Sequence, residues 1–199
     1  MIKFEYTKVD GFEAAIRGMR NSWGSHGKSD TENGVIGPLD KKLMLSLIKG
    51  GASHAKYLRQ INVSVDISSH LKWWDEADTY KIGTTSNSTS MMHTLGRHEL
   101  TLDDLSFEDI DHDLVEKLLN TYAEARNRWI NAGKKKPSRE WRQMVLVTPV
   151  AFNYTRTWTA NYQVLRTMYH DRNNHRLHEW GYFRKWCETL PYSELITTK

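Results

Sequence analysis

The sequence predicts a single α/β (α+β) domain in which long helices surround a central sheet. Residues Gln60 to Ile67 alternate apolar with polar side chains, which is typical of a half-buried strand. From Leu114 to Trp129, apolar residues recur every three or four positions, as they do along one face of a long helix. The length of 199 residues suits one domain, and neither a linker nor an internal repeat divides the chain.

The first fifty residues predict a strand, two helices and a long loop. Ile2 to Thr7 alternates in the same way and is predicted as the first strand. Gly11 to Arg20 is predicted as a short helix, and Leu39 to Ile48 as a second helix that ends at a pair of glycines. Between them, Asn21 to Gly37 is rich in Ser, Gly, Asp and Asn and is predicted to be a loop.

The remaining predicted elements include two segments that matter for function. Leu71 to Ala77 and Trp141 to Val147 are predicted as short helices. Thr79 to Met92 is a polar segment whose hydroxyl groups either form local turns or line a ligand site. A last long helix is predicted from near Thr157. Its buried face would carry Trp158, Tyr162, Leu165 and Tyr169, and another face Arg172, His175, Arg176 and Glu179.

Charge and composition narrow the class of partner. The net charge of +4 suits a small anionic ligand and does not require nucleic acid. The eight tryptophans and nine tyrosines favour a core with subunit contacts over stacking platforms for flat ligands. Cys187 is the single cysteine, which favours a reducing compartment, and no apolar run is long enough to span a membrane. We therefore expect a cytoplasmic protein.

Arginines near the C-terminus are the first candidates for ligand binding. Guanidinium groups match the geometry of phosphate and of uracil carbonyls, although arginines on a helix are more often solvated or paired with carboxylates such as Glu179. These arginines are Arg156, Arg166, Arg172 and Arg176. The nearby histidines do not have the spacing of a metal site, so no metal is expected.

Other chemical groups give weaker signals. Glu76 and Asp78 can be interpreted as a general acid/base pair, or as capping groups and ion-pair partners of Lys81. No histidine or proline pattern surrounds Cys187, so a nucleophilic cysteine is not expected. The glycine-rich phosphate loops of dinucleotide-binding and P-loop proteins are also absent from the sequence.

The C-terminal segment from Pro149 to Trp180 resembles the flavin-dependent thymidylate synthases. That family has a proline, then Tyr-Thr-Arg, then an aromatic residue followed by Thr-x-Asn, and an arginine eleven residues later. His, Trp and Glu follow that arginine. The matching residues here are Tyr154-Thr155-Arg156, Trp158-Thr159-Ala160-Asn161, Arg172, His175, Glu179 and Trp180.

A second resembling segment runs from Lys41 to Ser90. The family has a helix ending in Gly, a strand, a short helix and the signature R-H-R-x7-S. With the Ile61 to Ile67 strand placed on its counterpart, the final serine falls on Thr89, between two serines. The three residues R-H-R become Thr79-Tyr80-Lys81, so the hydroxyl-rich end of the signature is kept and its cationic start is lost.

The resemblance implies a specific reaction and assembly. Members of the family are α/β homotetramers whose active sites combine residues from several subunits. FAD carries a hydride from NADPH, methylenetetrahydrofolate supplies the carbon, and dUMP becomes dTMP without an enzyme cysteine attacking the base. The resemblance points to a divergent member of phage or bacterial origin.

The resemblance also assigns residues. Arg172 matches the catalytic arginine that contacts and polarises the uracil. The residues assigned to the nucleotide are Glu76, Ser88, Ser90, Arg142, Arg156 and Arg172. Those assigned to the cofactor are Tyr80, Lys81, Asn161 and His175.

The altered signature opens a second interpretation. Each lost charge-assisted hydrogen bond is worth roughly 1.5–3 kcal/mol, so losing two would weaken ligand binding about a hundredfold or more. Lys81 would recover part of this, and the ring of Tyr80, with Trp73 and Trp74, would offer a surface on which a flat base stacks. The alternative function is therefore an inactive or repurposed fold that binds a nucleotide or signalling nucleotide without flavin, or a structural oligomer.

Overall fold

The computed structural model describes all 199 residues. It contains one four-stranded antiparallel sheet. The strands are β1 (Lys3–Asp10), β2 (Asn62–His70), β3 (Thr85–Ser88) and β4 (Asn153–Asn161), and their order across the sheet is β1-β2-β4-β3. The α+β fold predicted from the sequence is thus confirmed. No helix is both long and apolar enough to cross a membrane.

Nine α-helices accompany the sheet. They are α1 (Phe12–Arg20), α2 (Pro38–Lys49), α3 (Leu71–Ala77), α4 (Met91–Thr94), α5 (His112–Asn131), α6 (Arg139–Leu146), α7 (Tyr162–Asp171), α8 (Glu179–Glu188) and α9 (Glu194–Thr197). Short 3-10 turns occupy Asn21–Trp23, His26–Lys28, Ala55–Gln60 and Leu102–Asp104.

Strand β2 follows the predicted alternation. Ile61, Val63, Val65 and Ile67 are all buried, whereas the polar residues between them are half-buried or exposed. Successive side chains of a strand point to opposite faces, so this pattern places one apolar face against the core. The prediction for this segment is confirmed.

The predicted long helix from Thr157 is wrong at both ends. Residues 153–161 form β4, where buried Trp158 and Ala160 alternate with more exposed threonines, a period of two that suits β-branched residues. The helix begins only at Tyr162, because Asn161 Oδ1 accepts the backbone N–H of Val164 and caps it. It ends at Asp171, so the residues from Arg172 to Glu179 do not share a helix face.

Strand β3 lies within the polar segment Thr79 to Met92, for which the sequence predicted local turns or a ligand site and no strand. Its four residues are exposed and form one edge of the sheet. Thr159 Oγ1 donates to the backbone oxygen of Thr85 at 3.3 Å, and the N–H of Thr89 donates to the carbonyl of Thr155 at 2.9 Å. Polar edge residues discourage pairing with another chain, which explains why no apolar signal marked this strand.

The residues divide into two compact units. Unit 1 comprises Met1–Lys3, Ile67–Thr79 and Asn87–Arg156, and unit 2 comprises Phe4–Asp66, Tyr80–Ser86 and Thr157–Lys199. That a single domain covers the whole chain stays a prediction.

The core of unit 1 is built on α5, as the amphipathic pattern predicts. Tyr122, Ala125 and Trp129 are buried on one face of this helix, whereas Leu114, which was predicted to share that face, is largely exposed. Met144 of α6 packs in the same cluster. The phenolic oxygen of Tyr122 accepts the backbone N–H of Gly96 at 3.0 Å, so the ring fills the core without losing its hydrogen bond.

In unit 2 a buried ion pair organises the segment predicted as a loop. The guanidinium of Arg20 donates through Nε to Asp40 Oδ1 at 2.7 Å, and Asp40 has no exposed surface. The other carboxylate oxygen accepts from the hydroxyls of Ser29 and Thr31 at 2.6 and 2.7 Å, and from the N–H of Asp30 at 3.1 Å. The carboxylate of Asp40, on α2, thereby holds the backbone of residues 29–31 in place.

Candidate functional site

The segment that follows α7 carries Arg172, the residue with the most specific predicted role. Tyr162, Leu165, Met168 and Tyr169 bury one face of α7 and fix its position in unit 2. Arg172 is the residue directly after the last helical position, with φ −94° and ψ 18°. The end of a packed helix therefore sets where the guanidinium lies.

Tyr80 and Trp180 hold the guanidinium of Arg172 in a cluster within unit 2. Arg172 Nε donates to the phenolic oxygen of Tyr80 at 2.9 Å. The guanidinium carbon lies 4.8 Å from the centre of the Trp180 ring and 5.2 Å from that of Tyr80. The two rings are 6.4 Å apart at an interplanar angle of 62°. We call these residues, with Asp171, the Arg172 cluster. A cation held over two rings gains about 0.5–1 kcal/mol per ring at partly exposed sites.

Tyr80 acts as both acceptor and donor in this cluster. Its hydroxyl accepts from Arg172 and donates to Asp171 Oδ2 at 3.4 Å. Burial raises the pKa of the Tyr80 phenol, although the neighbouring positive charge of Arg172 opposes that increase. The phenol therefore stays protonated at neutral pH and keeps both hydrogen bonds.

His175 lies beside the Arg172 cluster at the mouth of a cavity. Its ring centre is 5.9 Å from that of Trp180, and its Nδ1 accepts the backbone N–H of Leu177 at 3.1 Å. The cavity has a volume of about 350 Å³, and Arg172 and His175 both line it. This volume is within the range of small-molecule sites.

Lys81 and Asn161 are the other predicted cofactor residues; Lys81 directly precedes a tight turn in unit 2, and Asn161 packs against that turn. Gly83 in this turn has φ +80°, and a side chain there would come within 3.0 Å of the Asn161 Nδ2 atom. Only glycine permits so close an approach with that backbone conformation. Asn161 Oδ1 is used as the cap of α7, and Lys81 is exposed without a hydrogen bond or ion pair.

A second arginine cluster lies in unit 1, around Arg156. The Arg156 guanidinium is 4.2 Å from the ring centre of Trp74 and 5.1 Å from that of Tyr154. Its Nη1 donates to Asp78 Oδ1 at 2.7 Å and its Nη2 donates to the Tyr154 hydroxyl. Burial lowers the pKa of Arg156, but the bonds to Asp78 and Tyr154 outweigh this and leave the pKa raised.

Two acidic side chains considered in the sequence analysis have ion-pair partners within unit 1. Asp78 is an ion-pair partner, but its partner is Arg156 and not Lys81. Glu76 lies 3.4 Å from Lys72, one helical turn away, so this carboxylate too is used in an ion pair. Trp73 and Trp74 are only 1% exposed, so the expectation that they offer a stacking surface is wrong: they are core residues.

The hydroxyl-rich end of the predicted signature is open to solvent. Ser88 is exposed on β3, and Ser90 lies directly before α4. Neither hydroxyl bonds within the chain, and Arg142 on α6 is likewise exposed without a side-chain partner. These three residues are free to contact a ligand, which distinguishes them from Glu76 and Arg156.

Sequence reasoning missed several residues that complete the clusters. Asp171 was not assigned, Trp74 was expected only as part of a stacking surface, and Trp180 was noted only as a motif match. Tyr80 and Arg172 are 92 positions apart, so no local spacing joins them. An aromatic residue beside each candidate arginine was the available signal, because guanidinium groups commonly stack on rings.

Two further observations concern a nucleophilic cysteine and a metal site. Cys187 is fully buried, and this burial raises the pKa of its thiol, which makes it a poor nucleophile. No group of three or more His, Cys, Asp or Glu side chains in the structure is arranged to hold a metal ion.

Comparison of the fold with solved structures gives two informative matches. Thymidylate Synthase X (ThyX) from Helicobacter pylori, crystallised with FAD and dUMP, superimposes with a TM-score of 0.77 at 17% identity, covering 98% of this chain and 96% of that one. The UMP/dUMP methylase PolB from Streptomyces cacaoi, bound with 5-Br dUMP, gives 0.68 at 13% identity, covering 99% and 95%. No family model and no curated protein matches the sequence. At these identities the likeness shows the fold.

Proposed function

We propose that this chain binds dUMP and methylates it to dTMP, with reduced FAD, methylenetetrahydrofolate and NADPH as the remaining reactants. The observation that carries the proposal is the Arg172 cluster. Arg172 occupies the position that the resemblance assigns to the arginine on uracil, and Tyr80 and Trp180 hold it in place. Two proteins with a similar fold were crystallised with dUMP or its brominated analogue, which supports the choice of ligand.

Arg172 is the proposed catalytic residue. A guanidinium is permanently charged, so it stabilises negative charge that develops on a pyrimidine carbonyl as the ring becomes nucleophilic. Its hydrogen bond to Tyr80 fixes its orientation before the ligand arrives. Such preorganisation lowers the cost of binding, because less side-chain freedom is lost.

The proposed phosphate ligands are the exposed residues of unit 1. Ser88 and Ser90 would donate hydroxyl hydrogen bonds, and Arg142 would supply charge. Glu76 and Arg156 are also proposed to contact the nucleotide, but they are less available because each already has an ion-pair partner. Arg156 would have to exchange its bond to Asp78 for a bond to phosphate.

The residues proposed for FAD lie in unit 2, and their chemistry fits a flavin nucleotide. Lys81 offers an unpaired cation for phosphate, Asn161 an amide, and Tyr80 and His175 offer rings at the Arg172 cluster. Gly83 lets the turn approach Asn161 closely and so fixes where this amide lies. When bound, reduced flavin supplies a hydride, and these residues bind and orient it.

We also propose that the chain works as a homotetramer in the cytoplasm. Sites of the resembled family combine residues of several subunits, so the residues of units 1 and 2 need not act in one copy. Large exposed apolar side chains support assembly: Leu146 in unit 1 is 79% exposed and Ile82 in unit 2 is 91% exposed. Light scattering of the purified protein tests the proposed assembly.

The absorption spectrum of the purified protein tests the proposed reaction. We expect a bound-flavin spectrum after FAD is added, a shift in that spectrum on addition of dUMP, and dTMP formation when both co-substrates are present. Lys81→Gln should weaken flavin binding. Lys3→Gln, which removes an equal charge from the opposite edge strand of the sheet, serves as the control. Failure to bind FAD at high concentration would overturn the redox function.

The second candidate function is nucleotide binding without flavin. It is favoured by the segment Thr79-Tyr80-Lys81, where one cation stands in place of the three-residue R-H-R pattern. In that case dUMP or another nucleotide raises the melting temperature while FAD neither binds nor changes it. Stabilisation by neither ligand would contradict both candidate functions and leave a structural oligomer.

A further inference from the structure

A second cavity in unit 2 lies between α7, α8 and the C-terminal residues. Its volume is about 510 Å³. Arg166 and His170, four residues apart on one face of α7, line it, and Asn173 lines it from the turn after that helix. Arg184 of α8 and Lys199 complete the basic lining, and Arg172 does not take part. No residue of the Arg172 cluster lines this cavity, although Arg184 lines both it and the cavity beside that cluster.

The lining is strongly basic. Arg166, Arg184 and Lys199 carry permanent or near-permanent charge, and no Asp or Glu side chain lines the cavity. Burial lowers the pKa of His170, and the positive charges of Arg166 and Lys199 lower it further. Like charges around one cavity repel each other, and an anion in the cavity would remove that repulsion.

Neutral groups hold the two guanidinium groups in place without cancelling their charge. Arg166 Nη1 donates to the backbone oxygens of Ile196 and Thr198. Arg184 Nη1 donates to Asn173 Oδ1 at 2.8 Å, and its guanidinium carbon lies 4.4 Å from the ring centre of Tyr169. The Tyr169 hydroxyl donates to the Glu188 carboxylate at 2.7 Å.

Hydrogen-bonding capacity also remains unused. Arg184 Nε and His170 Nε2 are buried nitrogen atoms without a hydrogen-bond partner in the chain. A buried polar atom that lacks a partner costs free energy, and each such atom in a native structure calls for an explanation. A ligand with acceptor oxygens would satisfy Arg184 Nε, and it would satisfy His170 Nε2 in the tautomer that carries the proton on this nitrogen.

We propose that this cavity is a binding site for a small phosphate-bearing anion. Guanidinium forks match phosphate oxygens in geometry and charge, and a volume of about 510 Å³ accommodates an anion of the size of pyrophosphate or larger. The site rests on Arg166, His170, Arg184 and Lys199 alone and does not depend on the proposed methylation reaction.

Calorimetric titration of the full chain with inorganic pyrophosphate tests the proposal. We expect saturable binding that weakens as salt rises, and Arg184→Gln should raise the dissociation constant about tenfold or more. Lys185→Gln removes the same charge from the next residue of α8, which does not line this cavity, and should leave the affinity unchanged. Lys199→Gln gives a second test at an exposed residue, in case Arg184→Gln fails to fold.

A parallel titration with dUMP identifies the source of the phosphate. Lys199 lines this cavity and not the one beside Arg172, whereas Arg184 lines both. If Lys199→Gln weakens pyrophosphate alone, the cavity takes a free phosphate anion, and if it weakens dUMP equally, the cavity takes a nucleotide phosphate. Both results support the site. No saturable binding of either probe, or equal affinities in the wild type, Arg184→Gln and Lys199→Gln proteins, would overturn it.

Discussion

Arg172 and Tyr80 are joined by a hydrogen bond of 2.9 Å between the guanidinium Nε and the phenolic oxygen. Tyr80 stands where the resembled family has the histidine of its R-H-R signature. Compared with histidine, tyrosine at this position lacks a titratable cation. The ring and hydroxyl of Tyr80 instead contact the guanidinium of Arg172. If the proposed site binds dUMP, Tyr80 serves as a positioning residue for Arg172.

Removing the Tyr80 hydroxyl is expected to weaken binding of dUMP while leaving the ring in place. Tyr80→Phe loses a hydrogen bond to a charged group, worth about 1.5–3 kcal/mol when fully expressed, so the dissociation constant should rise roughly tenfold or more. Calorimetry with dUMP measures the change. Tyr6→Phe, at a side chain that is 85% exposed, is the matched control. Equal affinity in Tyr80→Phe and the wild type would show that Arg172 does not need this bond.

Replacing Arg172 itself should abolish binding without unfolding the protein. The residue follows the last turn of α7, and its side chain is only partly buried, so Arg172→Ala creates no core cavity. Arg172→Lys keeps the charge but loses the planar fork, and we expect intermediate affinity. Nucleotide titration together with thermal melts separates loss of the site from loss of fold. Wild-type affinity in Arg172→Ala would refute the assignment.

The Arg20–Asp40 pair is expected to make stability depend on pH. Burial tends to raise the pKa of Asp40, but its bonds to Ser29, Thr31 and Arg20 outweigh this and hold the pKa below its ordinary value. A depressed folded pKa contributes stability above the unfolded value, about 3.9, which is lost as the pH falls through the folded pKa.

Asp40→Asn should therefore destabilise the protein most at neutral pH. Breaking a buried pair leaves Arg20 uncompensated and typically costs about 3–5 kcal/mol. Urea unfolding at pH 7 and at pH 3 measures the difference from the wild type, which should narrow at the lower pH. Asp113→Asn, which removes an exposed partner of Lys117, should change the unfolding free energy by about 1 kcal/mol at most. A pH-independent difference for Asp40→Asn would contradict this account.

Tyr122 is expected to stabilise unit 1 through its hydroxyl as well as its ring. In Tyr122→Phe the buried N–H of Gly96 loses its acceptor, which costs about 1–3 kcal/mol. Urea unfolding of the variant measures the loss, and Tyr182→Phe, at an exposed ring, should show none. An unchanged unfolding free energy for Tyr122→Phe would mean that water replaces the phenol as acceptor.

Local patterns were sufficient for elements whose environment repeats along the chain. The alternation in β2 and the apolar face of α5 each follow from one buried face, and the structure confirms the first throughout and the second from Tyr122 to Trp129. The helix predicted from Thr157 was wrong because Trp158 and Tyr162 are four apart and both buried, although one lies in β4 and the other in α7. A spacing of four is compatible with both a strand and a helix, so it does not locate the boundary between β4 and α7. The side chain of Asn161 sets that boundary, because it caps α7.

The sequence by itself identified Arg172 and Arg156 as candidate ligand-binding residues, because the Tyr-Thr-Arg and Asn-to-Arg patterns that mark them are local. Only the tertiary structure decided what each guanidinium contacts. It placed Arg156 between Trp74 and Asp78, and Arg172 against Tyr80. Side chains that are far apart in sequence meet only when helix ends and strands are packed, and contact energies act over a few ångströms of space, whatever the separation along the chain.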